Sequence, residues 1–377
     1  MTSRRCPRSG TRLERLSSSA TNAQSFLYDS VSEQGLQPCP IPDTILTANG
    51  FDPSTPILTA PLTSADFETY RRQRPTGRAA GEEIDGIGGV PYDRWNDGPP
   101  EMQSALYHAV SEIVTGRRAP PEWEGAVVKL LPKRAGEEHI LESNRPICLM
   151  ATAMKLVTGI WSHRLSKAAE SLGHFESAQE GNRPARSTRR QTARLLLNLE
   201  AAKARQSSVF VAFLDMENFF NALSLPALFF LLWKSGLPDH DIAALKQYYD
   251  SAYMVITHND GCKSARIPLR RGVRQGCPLS PILGCIVINM LIRWVEDAGG
   301  GMSHPSGVIT KIMAYCDDTT LTTEDITSMQ GLFERTHTYC QWVGVNINHS
   351  KSETVGYDFK SQKAISTASL KLGTNNL

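Results

Sequence analysis

The chain lacks any imbalance of charge: 40 Lys and Arg stand against 38 Asp and Glu across 377 residues. A formal net charge of +2 names no polyanionic partner by itself. Long hydrophobic runs are missing as well. No stretch of about eighteen apolar residues occurs, which excludes a helix that spans a membrane. None of the eight cysteines forms a C-x-x-C pair, and none has a His at zinc-finger spacing. The sequence therefore supports neither a zinc site nor a disulfide framework. Several cysteines lie in apolar runs, where a free thiol behaves as a small buried hydrophobe. A reducing compartment inside the cell, nucleus or cytoplasm, is expected. No internal repeat is present.

What is there is unevenly placed. Basic residues gather in three runs with few acids between them: Arg71–Arg78, Arg183–Arg194 and Lys263–Arg274. One such run is ordinarily a solvated face, whereas three in one chain make candidate contacts for a polyanion. Residues 1–60 carry many Ser, Thr and Pro without sustained periodicity, so they are expected to be largely disordered. Within the first 25 residues Glu14 is the one acid. A disordered leader accounts for this better than an organelle transit peptide.

Further on, periodicity takes over. Ser64 or Asp66 is expected to cap a short helix, and Met102, Leu106, Val110 and Ile113 recur at helical spacing. "AVVKLLP" reads as a buried strand stopped by Pro132, and a long helix carrying Leu149, Leu156, Ile160 and Leu165 is expected after Pro146. "RQTARLLLNLEAAKA" is a second helix. "SVFVAFLD" is a core strand ending in Asp215. "GVRQGCPLSPILGCIVINMLIRWV" is a Gly/Pro turn feeding an apolar helix, and a helix through Phe333 and Trp342 ends at Gly344. Strands and helices mixed in this order predict an α+β fold, with helices on one face of an antiparallel sheet.

Two adjacent acids, Asp317 and Asp318, interrupt the β-prone stretch "KIMAYCDDTTL". Alone they read as the polar tip of a hairpin. If that hairpin lies beside the strand ending in Asp215, all these carboxylates emerge at one sheet edge. Mg²⁺ takes oxygen ligands and is held by one or two carboxylates plus substrate phosphates. Two such ions can stabilise both the attacking and the leaving oxygen of an in-line phosphoryl transfer. Without metal, like charges brought together favour a proton on one of them.

"RGVRQGCPLSPIL" (residues 271–283) resembles the signature of reverse transcriptases of non-LTR (LINE-type) retrotransposons. "FLDMENFFNAL" resembles the first aspartate motif of that family and "AYCDDTTL" its Tyr-x-Asp-Asp box. "VVKLLPK", "NRPICLM", "AQEGNRPARSTRRQT" and "GVNINHSKSE" resemble further motifs in family order, and "DGI" at residues 85–87 echoes an upstream element. The resemblance runs over about residues 80–373. It implies a right-hand polymerase: fingers over 61–205 and a palm over 206–377, with the thumb missing and the chain truncated at a primer-grip segment.

The resemblance also implies an RNA-directed DNA polymerase, with RNA template, DNA primer and dNTPs as partners and two Mg²⁺ ions, replaceable by Mn²⁺, as cofactors. Asp215, Asp317 and Asp318 would be the catalytic and metal-holding acids. Lys351 would protonate the leaving pyrophosphate. Lys133 and Arg145 would grip the triphosphate, Phe220 would bar a 2′-OH, and Gln275 and Gly276 would lie against the nucleotide. Arg183, Arg186, Arg190, Arg271 and Arg274 would meet nucleic-acid phosphates. Three positions depart from the family pattern: Phe219 replaces a small residue before the gate, Asn221 an Asp after it, and Cys316 an Ala or Met. A catalytically inactive element remnant that only binds nucleic acid is the alternative. A group II intron maturase or an RNA-dependent RNA polymerase fits "RGVRQGCPLSP" less closely, and a paired-aspartate phosphohydrolase explains none of the flanking motifs.

Overall fold

Among the described residues, three of the longer helices start on a short polar side chain that accepts a backbone N–H: Thr63, Ser224 and Asp325. The computed structural model describes residues 36–72, 97–136, 143–257, 263–373 and 375–376. Helix α1 (Ser64–Arg72) opens at Thr63, whose hydroxyl accepts the Asp66 N–H at 3.1 Å and donates to the Asp66 carboxylate at 2.7 Å. The cap is thus one residue before the expected Ser64. Helix α2 (Pro100–Val114) buries Leu106, Val110 and Ile113, as their spacing predicts. The Asp85–Ile87 element and most of the Arg71–Arg78 run lie outside the described residues.

Strand β1 (Gly125–Pro132) pairs antiparallel with β2 (Asn144–Met150), Leu130 facing Pro146 and Val127 facing Leu149. This corrects the helix expected after Pro146. Leu149 belongs to the strand, and helix α3 (Thr152–Ser171) begins only beyond it. The local pattern was ambiguous, and a partner strand decided it. Helix α4 (Thr188–Arg205) precedes strand β3 (Ser208–Leu214). Helices α5 (Leu225–Lys234) and α6 (Asp239–Asp250) follow, then strands β4 (Tyr253–Ile256) and β5 (Ile267–Pro268). Helix α7 (Ser280–Glu296) is buried on nearly all sides, as its apolar sequence requires.

Strands β6 (Ile312–Tyr315) and β7 (Asp318–Thr323) form the hairpin around the paired acids. Helix α8 (Ile326–Val343) is capped by Asp325, which accepts the Ser328 N–H at 2.7 Å. It ends at Gly344 with φ +78°, the left-handed conformation expected of that glycine. Strands β8 (Glu353–Asp358) and β9 (Lys363–Ile365) complete the main elements.

Two sheets result. The smaller has the order β2-β1-β4-β5, with β1 and β4 parallel. The larger has the order β9-β8-β3-β7-β6 and is antiparallel throughout. One face of the larger sheet places Phe210, Ala212 and Leu214 in the main core with α7 and α8. Helices are not confined to that face, as was expected. Val209 and Val211 point the other way into a second cluster with Leu195, Leu199 and Ala202 of α4. Beyond it on β3, Phe213 is open to solvent. No helix among the described residues is long and apolar enough to cross a membrane.

The expectation of disorder over 1–60 fails for 36–60, and residues 1–35 lie outside the description. Ile41, Leu46, Phe51 and Leu58 are buried in the main core. Asp241 of α6 accepts the N–H groups of Ile57, Leu58 and Thr59 at 2.8–2.9 Å. Arg164 of α3 donates to the carbonyls of Leu58 at 2.8 Å and Ala60 at 2.6 Å. A segment without periodicity is ordered because charged groups from two helices satisfy its backbone.

Candidate active site

Register brings the acids together. Leu214 faces Thr319 and Phe213 faces Thr320 across β3 and β7, so Asp215 leaves the sheet beside the hairpin tip. Tyr315 pairs with Asp318, leaving Cys316 and Asp317 as the two-residue turn. Burial raises the Asp317 carboxyl above the ordinary carboxylate range, and the charges of Asp318 and Asp215 push the same way. Asp318 is raised too, by burial first and by Asp215 second.

A carboxyl raised in this way holds its proton longer in the folded chain than in the unfolded one. Its contribution to stability is therefore lost as pH rises from the ordinary value near 3.8 through the raised one. Without divalent metal, Asp317→Asn should melt above wild type at pH 7, the gap closing towards pH 3. Melting curves in chelator would contradict this by showing the variant level with wild type or below it at pH 7.

Among the described residues, no three His, Cys, Asp or Glu side chains are drawn close enough to hold a metal ion unaided. The donors at the edge are nonetheless all carboxylate oxygens, those of Asp215, Asp317 and Asp318. That set fits a hard divalent cation whose remaining ligands are water and substrate oxygens.

Asp215 is also held from below. Its N–H donates to the Ser352 hydroxyl at 3.1 Å, and its carbonyl accepts the Asn348 N–H at 2.8 Å. Lys351, between them, brings its ammonium within 3.9 Å of the Asp215 carboxylate. Asn348 and Ser352 were not singled out by sequence. The turn-forming run "NHSKS" was the available signal.

The two aromatic residues after Asp215 sit differently. Phe219 is 2% exposed, and its ring meets that of Phe220 edge-on at 5.3 Å. A Cβ built on Gly284 of α7 would lie 3.1 Å from each ring. The missing side chain at Gly284 makes room for the added ring at Phe219, which turns into the core. Phe220 remains half-buried.

The β1–β2 hairpin carries the two expected cations. Arg145 lies on β2 opposite Leu131, and Lys133 follows β1 with its N–H on the Ser143 carbonyl at 2.7 Å. Both side chains are exposed. The Gln275 carbonyl accepts the Cys148 N–H at 2.7 Å, which fastens the Gln-Gly turn to β2. Gly276 has φ +106°, and a Cβ there would lie 2.7 Å from the Cys148 carbonyl oxygen, so only glycine fits. A cleft of about 380 Å³ opens between this sheet and the turn after Asp215, lined by Val128, Leu130, Cys148, Asn218, Asn221 and Arg271 among others.

A model of the family described as reverse transcriptase (RNA-dependent DNA polymerase) matches residues 131–365, more than half of the chain. The chain belongs to the reverse transcriptase family. It is 27% identical over 212 residues to the Retrovirus-related Pol polyprotein from type-2 retrotransposable element R2DM of Drosophila melanogaster. That match covers 56% of this chain and 19% of the relative. The Transposon TX1 uncharacterized 149 kDa protein of Xenopus laevis is 25% identical over 298 residues, 78% of this chain and 22% of that protein. The RNA-directed DNA polymerase from mobile element jockey of Drosophila melanogaster is 24% identical, over 80% of this chain and 32% of its own length. The chain therefore spans between a fifth and a third of these curated relatives, and its reverse transcriptase is of the non-LTR retrotransposon type. Among solved structures, telomerase from Candida Tropicalis in complex with a TWJ fragment of telomeric RNA gives a TM-score of 0.46 at 13% identity, over 74% of this chain and 49% of that one.

Within this reverse transcriptase region, the five arginines expected at nucleic acid fall into distinct groups. Arg274 is 1% exposed and donates to the carbonyls of Glu124 and Tyr253 and to the Tyr248 hydroxyl. It ties the Gln-Gly turn to α6, β4 and the entry to β1, and does not reach the surface. Arg183 is also withdrawn: it is paired with Glu170 at 2.6 Å and bonded to the carbonyls of Glu176 and Gln179. These two are corrected from phosphate contacts to internal braces. Arg271 is exposed but spends donors on the Ala222 and Gly344 carbonyls, at 2.5 and 2.6 Å. Arg186 and Arg190 flank the buried Glu180 at 3.3 and 3.0 Å, and Arg190 keeps 54% of its side chain in solvent.

Proposed function

We propose that this chain is the catalytic portion of an RNA-directed DNA polymerase of a non-LTR retrotransposon, adding dNTPs to a primer 3′-OH on an RNA template. The observation that carries the proposal is the β3–β7 register, which sets Asp215 beside the Asp317–Asp318 tip.

Asp215 and Asp317 would hold two divalent cations, Mg²⁺ or in its place Mn²⁺, with Asp318 supporting that pair. When bound, the ions supply the charge that activates the attacking oxygen and steadies the departing pyrophosphate. Lys133 and Arg145 would clamp the triphosphate from the fingers-like hairpin, as cations suited to phosphate oxygens. Gln275 and Gly276 would place backbone close to the nucleotide, and the Phe220 ring would exclude a ribose 2′-OH. Lys351, beside Asp215, would give a proton to the leaving group. Arg186 and Arg190 would meet template phosphates in a sequence-independent, salt-sensitive way. Catalysis of this kind is mostly positioning and charge stabilisation.

The test is primer extension with dNTPs on an RNA template in Mg²⁺. Wild type should extend, and Asp317→Asn should lose at least about a hundredfold in rate, a loss of the size seen when one charge-stabilising group is removed. Equal extension by both proteins would sink the assignment.

A further inference from the structure

The turn that carries Asp317 has an unusual residue in its first position. Cys316 has φ +60°, a conformation that two-residue hairpin turns normally give to glycine or asparagine. Something other than local preference must hold it there.

That support comes from the segment Ala178–Gly181, laid against β6. Ala314 donates its N–H to the Ala178 carbonyl at 2.9 Å and accepts the Glu180 N–H at 2.9 Å. The Gln179 side chain then reaches the turn itself. Its Oε1 accepts the Cys316 N–H at 2.9 Å, and its Nε2 donates to the Cys316 carbonyl at 3.2 Å. One side-chain amide thus pairs with both backbone groups of a single residue, as a neighbouring strand would. The same Oε1 accepts the Gly181 N–H at 2.8 Å, which orients the amide. Gln179 has no exposed surface.

The segment is anchored on its far side. Asn289 of α7 accepts the Glu176 N–H and donates to the His174 carbonyl, each at 2.8 Å, and Arg183 bonds the Gln179 carbonyl at 2.7 Å. Gln179 is therefore a rigid strut from α7 to the hairpin tip.

We infer that Gln179 is a positioning residue for the metal site: by holding Cys316 in its left-handed conformation it aims the Asp317 carboxylate at the cation. The inference rests on the reading of Asp317 as a cation ligand, and it adds a residue outside the acids to the determinants of metal affinity. Groups that orient metal ligands without touching the metal commonly change affinity by about ten- to a hundredfold when removed.

The probe is Mn²⁺, titrated into the full chain without nucleic acid and followed by the electron paramagnetic resonance of the free ion. Gln179→Met keeps volume and loses both hydrogen-bonding groups. It should bind Mn²⁺ about tenfold or more weakly while staying folded by circular dichroism. Adding Cys316→Gly to that variant should restore most of the affinity, because glycine takes the positive φ unaided. A residue that only stabilised the fold would show no such rescue. Unchanged affinity in Gln179→Met overturns the inference. If that variant does not fold, Gln179→Asn, with the amide drawn back by one methylene, decides: an intermediate loss supports the inference and no loss overturns it. Absence of Mn²⁺ binding by wild type, with Asp317→Asn indistinguishable from it, would instead overturn the reading of Asp317 itself.

Discussion

Asp241→Ala should destabilise the folded chain by about 3 kcal/mol, because it leaves three N–H groups without their acceptor, that of Leu58 buried and those of Ile57 and Thr59 partly buried, each a loss of about 1–3 kcal/mol when buried. Asp241 is 0% exposed, and its carboxylate gathers the N–H groups of Ile57, Leu58 and Thr59 with the Thr59 hydroxyl. The change is large against a typical folding stability of about 5–15 kcal/mol. It should also release Phe51 and Leu58 from the core, since the segment makes no regular sheet of its own. Arg164, which binds the carbonyls of the same segment, would lose a favourable charge nearby. Asp52→Ala is the comparison: Asp52 is exposed and bonds only to Ser54 and Thr55. Urea denaturation should show a much lower midpoint for Asp241→Ala than for Asp52→Ala. Similar midpoints would mean that residues 57–59 are not held as described.

Gly181→Ala should abolish polymerase activity more completely than its size implies. A Cβ on Gly181 would lie 2.1 Å from the Cys316 nitrogen and 2.8 Å from both the Cys316 Cα and the Tyr315 carbonyl carbon. All three are backbone atoms of the hairpin that carries Asp317 and Asp318, so either the hairpin or the segment carrying Gln179 must move. A displacement of about 1 Å at reacting groups can cost a hundredfold in rate, and that is the minimum loss expected. Gly331→Ala is the control. It lies within α8 with nothing within 4 Å of the added carbon, and alanine should stabilise the helix slightly. Extension rates measured on both variants, each checked for folding, give the answer. Wild-type activity in Gly181→Ala would show that the hairpin tolerates being moved.

How much of this was legible depended on whether the information was local. "SVFVAFL" is a short run of β-branched and aromatic residues, and "CDD" lies between two more β-prone runs, so the strand and the acidic hairpin could be read directly. Their side-by-side pairing could be foreseen only by asking where the carboxylates had to go. The β2 strand was lost to a helix because its decisive partner, β1, is supplied from a separate stretch of chain. Residues 36–60 were lost for a related reason: their order comes from Asp241 and Arg164, far away in sequence.

The arginines show the limit of charge as a signal. Arg183, Arg186 and Arg190 share one basic run, yet the first is a buried brace while Arg190 has over half its side chain in solvent. Composition cannot separate them, since a guanidinium serves equally to bind phosphate or to gather backbone carbonyls. Phe219 is the converse case. It departs from the small residue of the family pattern, and Gly284, on a helix distant in sequence, leaves space for its ring. Gln179 was visible within a family-like block, but its role depends on the span of one amide across Cys316.

The central claim, that Asp215 and the Asp317–Asp318 tip form one cation site, is tested most directly by replacing Mg²⁺ with Fe²⁺ and adding ascorbate and peroxide. Hydroxyl radicals formed at the bound iron cut the nearby backbone. Cuts should fall at two places in the sequence, around Asp215 and around Asp317. They should fade with excess Mg²⁺ and be lost in Asp317→Asn. Cleavage at only one of the two places, or cleavage indifferent to Mg²⁺, would contradict the account.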